Sequence, residues 1–351
     1  MLSRTIEQST DPQEKDLQLE QELRMNFSQR IEKPPSIVSI NASEVEGRLA
    51  PICTIGDISM LIGKAKSRKS FFLSSIVASY LQGYCSLTNI HGNPGNEAKA
   101  LFFDTEMSPY YSQRMGFSVL SQLKDEADHS RYIHYQMRKI NPSEKAEFVE
   151  NRLKEYTGQV GLVVIDGIRD LLRTGINDEE EATYISTLLL RWTYEYKVHI
   201  MTVLHQNKND NHARGHVGSE LTHKCATVIS IEKDLKETTN SIVKPEYTRD
   251  MEFETFSFAL DEEFCPYLVE ASPPVNKKEI KMREDFLFIF KDRQSMGYSE
   301  LVKNYKEASG LSEATAKRDV AKGMKIEIVK KMNQLYYLNP EQKEQDDNVP
   351  F

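Results

Sequence analysis

One stretch of the sequence decides the fold: residues 58–73 read ISMLIGKAKSRKSFFL. An apolar run of strand length leads through a basic loop directly into an apolar run of helical length. Backbone N–H groups at the start of such a helix point toward a bound anion, so the stretch predicts a phosphate-binding loop. A loop of this kind also needs a lysine for the β- and γ-phosphates and a hydroxyl for Mg²⁺. Lys69 and Ser70 fit these two roles, and Gly63 opens the turn.

The loop departs from the usual pattern at Arg68, where such loops carry glycine. Glycine is favoured where φ is positive or where the backbone approaches a ligand closely. We therefore expect Arg68 to affect either the geometry of the loop or the rate of hydrolysis. A solvated basic turn is the simpler interpretation, and the strand–loop–helix context disfavours it. The residues expected to surround the nucleotide are Gly63, Lys64, Ala65, Lys66, Ser67, Arg68, Lys69 and Ser70.

Two further apolar runs end in acidic residues. Residues 161–166 read GLVVID, and we assign the terminal Asp166 to the metal. Residues 100–106 read ALFFDTE, and Glu106 is a candidate to polarise the attacking water. In a doubly wound sheet these strand ends and the phosphate loop open at the same carboxyl edge, which predicts one shared site. Each carboxylate alternatively caps the helix that follows it, and for Asp104 this explanation is as good as a catalytic role.

A third apolar run, His199–Leu204, leads into a polar stretch that begins with His205 and Gln206. Gln206 is a candidate sensor of the γ-phosphate, because a polar side chain at this edge can hydrogen-bond to the transferred group. A purely structural turn explains the same residues equally well.

Short apolar runs alternate with stretches of helical length from residue 35 to residue 271. Such alternation indicates βαβ crossovers and a mostly parallel sheet with helices on both faces, which is an α/β fold. Two closing antiparallel strands are expected at Phe253–Leu260 and Pro266–Val269. The predicted organisation is a flexible acidic segment (1–34), the nucleotide-binding domain (35–271), a linker (272–276), a smaller domain (277–340) and a disordered tail (341–351).

The smaller domain shows the order of a winged helix-turn-helix, in which three helices precede two β-prone runs. These elements are expected at Glu279–Lys291, Tyr298–Ser309, Glu313–Gly323, Ile326–Met332 and Leu335–Leu338. Ser312 is a suitable N-cap for the third helix.

Charge supports a role for this domain in nucleic-acid binding. Residues 277–339 contain 14 Lys and Arg against 9 Asp and Glu, a balance of +5, whereas the whole chain carries -8. A local excess of cations favours contact with phosphate. A winged helix that binds another protein and keeps a solvated basic face is the alternative. The candidate DNA-binding residues are Lys317, Arg318, Lys322, Lys330 and Lys331.

Composition excludes several classes of protein. The 351 residues are 39% hydrophobic and 28% charged, an ordinary globular mixture that suggests about two domains. The overall charge of -8 is not that of a basic nucleic-acid coat. Four widely separated cysteines form no CxxC pair, so neither a zinc site nor a disulfide framework is expected. Without an apolar run of about 18 residues or a signal-peptide core, a cytoplasmic location is expected.

Five stretches together resemble the RecA/DnaB-type hexameric helicase ATPases, and most closely the RepA-like ATPases of bacterial plasmids and mobilizable elements. They are GKAKSRKSFF from Gly63, LFFDTEMSPYYSQRM from Leu101, LVVIDGIRDLL from Leu162, VLHQNK from Val203 and RGHVGSELTHKCATVISIEKD from Arg214. The basic form of the phosphate loop recurs in that family. The resemblance covers roughly residues 35–270, a span typical of one RecA-like domain.

The resemblance implies a RecA-like P-loop NTPase core that uses ATP and Mg²⁺. It implies Glu106 as the catalytic glutamate, Asp166 with Ser70 on the metal side, and Gln206 as the sensor. Arg249 matches best the arginine finger that a neighbouring subunit supplies. A homo-oligomer, most readily a hexameric ring, is also implied, with single-stranded DNA at the core and duplex DNA at the winged helix.

Two functions follow from these observations. The first is an ATP-dependent DNA-remodelling or helicase-type ATPase that acts in replication, excision or mobilisation of a mobile element or plasmid. The second is an ATP-controlled DNA-binding regulatory or partitioning protein with slow turnover. Arg68 and the winged-helix prediction favour the second function more than the first.

Overall fold

The computed structural model describes residues 12–43, 47–93, 98–124, 126–206, 213, 215–234, 237–270, 277–291 and 293–339. The linker predicted at 272–276 and the tail predicted at 341–351 lie outside these residues, as does the start of the acidic N-terminal segment. The chain divides into two compact units. The first unit holds the described residues up to Glu232 with Val243–Thr255 and Leu260–Leu268, and the second holds Lys233–Ile242, Phe256–Ala259 and the described residues from Val269 onward.

Strands and helices alternate through most of the chain, as an α/β fold requires. The first twelve strands are β1 (Ser36–Asn41), β2 (Leu49–Thr54), β3 (Ile58–Gly63), β4 (Ile90–Gly92), β5 (Lys99–Asp104), β6 (Tyr132–Gln136), β7 (Val160–Asp166), β8 (His199–His205), β9 (Thr227–Lys233), β10 (Ser241–Thr248), β11 (Phe256–Leu260) and β12 (Pro266–Val269). The first six helices are α1 (Pro12–Leu23), α2 (Lys69–Gln82), α3 (Pro109–Leu120), α4 (Pro142–Glu155), α5 (Glu179–Tyr196) and α6 (Gly215–Lys224). β10 is a strand that the sequence pattern did not predict.

Six strands of the first unit form a parallel sheet in the order β9-β3-β8-β7-β5-β6. The register places Gly63 beside His205 and Asp104 beside Asp166. Because parallel strands end at a common edge, the phosphate loop and both acidic strand ends meet there. The prediction of a mostly parallel sheet is confirmed.

Helices cover both faces of this sheet. α2 contacts β3, β5 and β7 and packs with α3 on one face, while α5 contacts α4, α6 and the sheet on the other. Successive side chains of a strand point to opposite faces, so Leu101 and Phe103 join the buried core that includes Trp192. Phe102 lies between them and faces the other layer, where its ring contacts His134 at 4.8 Å. Both faces of the central strands are therefore apolar, which explains their continuous hydrophobic runs.

Local signals fix where two of the helices begin. Asp178 accepts hydrogen bonds from the backbone N–H groups of Glu180 and Glu181, at 2.9 and 3.1 Å, and so caps α5. Asn141 and Glu144 form a capping box at the start of α4, where proline occupies the first helical turn. The sequence thus specifies both helices locally as well as through burial of an apolar face.

The N-terminal part of the first unit contains structure that the sequence pattern did not indicate. β1 pairs antiparallel with β2 and β4 in a separate three-stranded sheet. The segment predicted as a flexible tail contains helix α1, on which Leu17 and Leu23 are exposed. No helix in the described ranges is both long and apolar enough to cross a membrane.

The second unit ends in three helices and a hairpin. These elements are α7 (Lys277–Ile289), α8 (Tyr298–Ser309), α9 (Glu313–Lys325), β13 (Val329–Met332) and β14 (Leu335–Leu338). Their order follows the sequence prediction for residues 277–340. Ser312 accepts a hydrogen bond from the backbone N–H of Thr315 at 3.3 Å and caps α9, as predicted. A buried apolar cluster that includes Phe286, Tyr305 and Val320 joins the three helices.

Candidate nucleotide site

A cleft of about 530 Å³ opens at the carboxyl edge of the parallel sheet. Its walls include the phosphate loop, the ends of β5, β7 and β8, one side of α3 and the turn before β12. All of these segments belong to the first unit. A cleft at this edge is where open α/β sheets bind their ligands.

The phosphate loop is organised around the ammonium of Lys69. The lysine Nζ donates hydrogen bonds to the carbonyl oxygens of Gly63 and Lys64, at 2.9 and 3.0 Å. Burial lowers the pKa of Lys69, and the nearby carboxylates of Asp166 and Glu106 act in the opposite direction. A largely desolvated cation in this place interacts strongly with a polyanion, because little water screens it.

Two residues of the loop adopt the left-handed conformation that usually favours glycine. Lys66 has a φ of 63° and Arg68 a φ of 65°. For residues with a side chain this conformation costs roughly 1–2 kcal/mol each. Arg68 therefore keeps the backbone geometry of the usual loop and carries its strain, and its guanidinium lines the cleft. The departure found in the sequence is a departure of side chain and not of backbone path.

Gly63 is required for packing and not for a positive φ. A Cβ atom at this position would lie 2.3 Å from the carbonyl oxygen of Ile231 and 2.7 Å from the hydroxyl of Ser67. The end of β3 thus approaches β9 more closely than any side chain allows. Replacement of Gly63 would displace the first residue of the loop.

The candidate metal ligands lie on adjacent elements. The hydroxyl of Ser70 donates a hydrogen bond of 2.6 Å to Oδ2 of Asp166. Burial raises the pKa of Asp166 to about 6; Asp104 and Glu106 raise it further, while the Ser70 hydroxyl lowers it. This is the environment of a carboxylate that a cation would stabilise.

The oxygen atoms present fit Mg²⁺ bound together with a nucleotide. Such an ion takes one or two protein oxygens and completes its shell with phosphate oxygens and water. Among the described residues, no cluster of three or more His, Cys, Asp and Glu forms a complete metal site. Within the same residues Oδ2 of the fully buried Asp104 has no hydrogen-bond partner, although Asp104 lines the cleft. Ser70 and Asp166 are therefore the residues that would hold the ion.

Glu106 lies at the rim of the cleft beside His205. Its Oε2 is 3.7 Å from Nε2 of the histidine. His205 is the largest cause that lowers the pKa of Glu106, and Lys69 and Arg169 act in the same direction against the effect of burial. The carboxylate is therefore ionised at neutral pH, as a general base must be.

The backbone that carries Glu106 is tied to the end of β7. The hydroxyl of Thr105 donates to the carbonyl oxygens of Asp166 and Gly167, at 2.9 and 3.0 Å. Gly167 has a φ of 102°, and a Cβ there would lie 2.2 Å from that hydroxyl. The buried Lys145 on α4 donates to the carbonyl of Thr105 at 3.3 Å and lies 3.5 Å from Asp170. These contacts fix Glu106 and Asp166 relative to one another.

Asp104 takes the capping role that the sequence left open. Its Oδ1 accepts hydrogen bonds from the backbone N–H groups of Glu106 and Met107, at 3.1 and 2.9 Å. The turn that presents Glu106 to the cleft is therefore held by the preceding carboxylate.

The far end of the cleft is built from flat side chains. The guanidinium carbon of Arg114 lies 4.2 Å from the ring centroid of Phe264 and 4.8 Å from that of Tyr111. The rings of Phe71 and Phe264 are stacked with centroids 5.8 Å apart. Ser118 donates to the carbonyl of Phe264 at 2.8 Å and holds this turn over α3. Guanidinium planes and aromatic faces of this kind stack on planar bases.

Sequence reasoning missed Arg114, Phe264 and Lys145. Phe264 lies almost 200 residues after the phosphate loop, and no local pattern connects it with Arg114. Lys145 occurs in a helix rich in charged residues, where a lysine normally faces solvent. The only available signal was the position of Arg114 on the helix that directly follows Glu106.

Gln206 lies next to the phosphate loop without facing the cleft. Its backbone N–H donates to the carbonyl of Gly63 at 3.2 Å, and its side chain is 5% exposed. The described residues that line the cleft include the neighbouring His205 and do not include Gln206. In this structure Gln206 connects β8 to the start of the loop.

Arg249 lies at the opposite edge of the sheet from the phosphate loop. Its backbone N–H donates to the carbonyl of Ala226, directly before β9 begins. Its guanidinium donates to the carbonyls of Lys224 and His223, at 3.1 and 3.4 Å, and so satisfies the C-terminus of α6. Within one chain Arg249 therefore has a structural role, and a finger role requires a second copy.

The predicted DNA-binding residues belong to the second unit. Four of the five cations are exposed, namely Lys317, Arg318, Lys330 and Lys331. Lys322 is half-buried on α9. Lys317 forms an ion pair with Glu313 one turn earlier, at 2.7 Å.

Comparison with known proteins supports the interpretation of the first unit. Residues 42–211 match the family model described as an AAA domain. The match spans the phosphate loop, both acidic strand ends and β8, and it supports a P-loop ATPase domain. No curated protein matches the sequence.

Two solved structures are similar to this chain over 61% of its length. One is the RadB recombinase, at 16% identity and a TM-score of 0.44 over 91% of that chain. The other is the ATPase domain of a helicase, at 12% identity and a TM-score of 0.45 over 85% of that chain.

Proposed function

We propose that the chain is an ATP hydrolase that couples ATP turnover to work on DNA, as a helicase-type or DNA-remodelling ATPase. One observation carries the proposal: Lys69, the Ser70–Asp166 pair and Glu106 converge at one edge of one parallel sheet. Phosphoryl transfer needs a cation for the phosphates, a metal position and a group that orients water. The three features correspond to these three needs.

In the proposed reaction Lys69 binds the β- and γ-phosphate oxygens, and Glu106 accepts the proton of the attacking water. The water oxygen bonds to the γ-phosphorus while the bond from that phosphorus to the bridging oxygen breaks, so ADP and inorganic phosphate are formed. Ser70 and Asp166 hold the ion, and bound Mg²⁺ neutralises charge on the phosphate oxygens. Arg114 and Phe264 stack on the base.

We further propose that the active form is a homo-oligomer, most simply a hexameric ring. Arg249 cannot serve its own cleft, because it lies at the opposite edge of the sheet. A neighbouring copy would bring it to the γ-phosphate, where an arginine finger stabilises the charge of the transition state. Gln206, beside the loop, is the proposed sensor of the same group.

The ATPase proposal is tested by replacing Lys69. Lys69→Ala should abolish phosphate release, because the γ-phosphate loses its principal cation. Lys154→Ala, at an exposed position of α4, is the matched control and should keep the wild-type rate. Wild-type turnover in Lys69→Ala would contradict the assignment of the phosphate loop.

We propose that residues 277–340 form a winged-helix domain that binds duplex DNA, while the core binds single strands. The three helices, the hairpin and the exposed cations of α9 and β13 support this proposal. Neutralising Lys317, Arg318, Lys330 and Lys331 together should reduce the slope of log K against log salt by about one unit per phosphate contact. An unchanged slope would mean that these cations do not contact phosphate, and the unit would then be a protein-docking module.

The biological setting is proposed from the sequence resemblance alone: a RepA-like ATPase in replication, excision or mobilisation of a plasmid or other mobile element. A second candidate is an ATP-controlled DNA-binding switch, regulatory or partitioning, with slow turnover. The left-handed backbone of Lys66 and Arg68 favours this candidate, since strain in the loop is a reason for slow catalysis. Displacement of a labelled strand with and without ATP separates the two, because only a motor unwinds DNA.

A further inference from the structure

The hairpin of β13 and β14 has one buried face and one exposed face. Its register pairs Val329 with Leu338, Lys330 with Tyr337, Lys331 with Tyr336 and Met332 with Leu335. Directly paired side chains point to the same side of a hairpin, and successive residues alternate. Val329, Tyr336 and Leu338 are buried in the core of the second unit, so their face is the inner one. The outer face therefore carries Lys330, Met332, Leu335 and Tyr337.

The outer face ends in an apolar pair. Met332 is 62% exposed and Leu335 is 39% exposed, and the two lie opposite each other as the last pair before the turn. Asn333 and Gln334 form that turn with φ values of 49° and 67°. Two left-handed residues make the tight turn whose twist matches the strands, so the tip is a fixed projection. The buried inner face anchors this projection and leaves its outer side exposed.

The surroundings of the pair are cationic. Lys330 shares the outer face, and Lys331 extends beside it with its ammonium 5.7 Å from the ring centroid of Tyr336. Residues 277–339 as a whole carry the excess of +5. A partner that fits an apolar tip between lysines is anionic outside and apolar inside. Duplex DNA has this character, because phosphates line its grooves and stacked bases fill its centre.

We propose that Met332 and Leu335 enter the minor groove of duplex DNA and wedge against a base step, while Lys330 contacts the adjacent phosphate. Apolar side chains at such a position partly unstack the step and bend the duplex. The inference rests on the proposed DNA-binding function of the second unit and adds a contact to bases. It predicts local opening of the duplex that phosphate contacts alone would not produce.

The test uses the full chain and a short duplex that carries 2-aminopurine, whose fluorescence rises when the base is unstacked. Wild-type protein should raise the fluorescence. Met332→Ala with Leu335→Ala should abolish the rise and weaken binding on the order of tenfold. The slope of log K against log salt should stay unchanged, because no cation is removed. Phe288→Ala, at a 71% exposed position of α7, is the matched apolar control and should behave as wild type.

Several outcomes would overturn the wedge. A fluorescence rise that persists in the double variant would do so, and so would an equal loss in Phe288→Ala. Wild-type binding without any rise would refute the wedge and leave the proposed DNA-binding function intact. Failure of the wild-type protein to bind any duplex would instead refute that function. Thermal unfolding of the double variant should match wild type, since both side chains are exposed.

Discussion

The hydroxyl of Ser70 donates a hydrogen bond of 2.6 Å to the carboxylate of Asp166, although 96 residues separate the two along the chain. Ser70 lies in the first turn of α2, and Asp166 is the last residue of β7. The contact therefore joins the phosphate loop to a different strand of the sheet. A metal ion brought in by a nucleotide would meet two protein oxygens that already lie together, so little reorganisation is needed for binding.

Glu106→Gln should retain ATP binding and lose turnover. The amide keeps the shape of the side chain but cannot accept the proton of the attacking water. Loss of a general base typically costs about 10²–10⁴-fold in rate. Binding of a fluorescent ATP analogue and the rate of phosphate release measure the two properties separately. Normal hydrolysis by the variant would move the base elsewhere, with Asp104 as the first candidate.

Asp166→Asn should act differently from Glu106→Gln. The variant should require more Mg²⁺ for half-maximal turnover, because the asparagine lacks the negative charge that supports the ion. A Mg²⁺ titration of the hydrolysis rate is the measurement. An unchanged Mg²⁺ requirement would remove Asp166 from the metal side of the site.

Arg249→Ala should bind ATP and hydrolyse it poorly, as expected for a finger supplied by a neighbour. The same change removes hydrogen bonds to the C-terminus of α6 and should lower stability by roughly 1 kcal/mol. Mixing the variant with Lys69→Ala separates the two effects, because mixed assemblies contain some intact composite sites and regain part of the activity. A monomeric mass in the presence of ATP, with a specific activity independent of protein concentration, would contradict the proposal.

Arg114→Ala should weaken ATP binding by about tenfold, since a desolvated cation–π contact contributes about 1–2 kcal/mol. Binding of inorganic triphosphate, which has no base, should not change. Arg114→Lys keeps the charge and loses the planar face, so it should resemble the alanine variant. Equal weakening of both ligands would show that Arg114 serves the phosphates and not the base.

His199 should make the protein less stable in mild acid. Burial lowers the pKa of His199 to about 4, while its Nδ1–H donates to the carbonyl of Thr54 at 2.9 Å. The unfolded chain binds this proton near pH 6.5, so the free energy of unfolding falls as the pH drops from about 6.5 to 4. The full contribution, about 3 kcal/mol, is present only above that range. Urea midpoints at pH 7.5 and pH 5 should differ less in His199→Gln than in wild type, and an equal difference would refute the assignment.

The phosphate loop, the parallel core and the acidic strand ends were predictable because each has a local signature. Glycine, lysine and serine at fixed spacing after an apolar run report Gly63, Lys69 and Ser70 directly. A continuous apolar run reports a strand that is buried on both faces, and its polar end reports the sheet edge. The strands that surround the nucleotide edge were therefore identified from neighbouring residues alone.

Contacts between distant segments had no such signature. The stacking of Arg114 on Phe264 depends on a turn that follows β11, and sequence spacing does not describe where that turn packs. Arg249 fits the expected position of a finger along the chain, yet its spatial position is set by the carbonyls at the end of α6. No local pattern indicated the order of β1, β2 and β4, since β1 pairs with β4 only across a long separation in the chain.

The ammonium of Lys69 already has two acceptors within its own loop, the carbonyl oxygens of Gly63 and Lys64. A phosphate that enters must take the place of these internal acceptors, so the loop acts as its own competing ligand. Weak monovalent anions gain too little from this exchange to replace two hydrogen bonds, whereas a triphosphate with its metal offers several oxygens at once. The same arrangement that positions the lysine therefore sets a threshold of charge that a ligand has to exceed, and selectivity for polyphosphates begins before any part of the base is read.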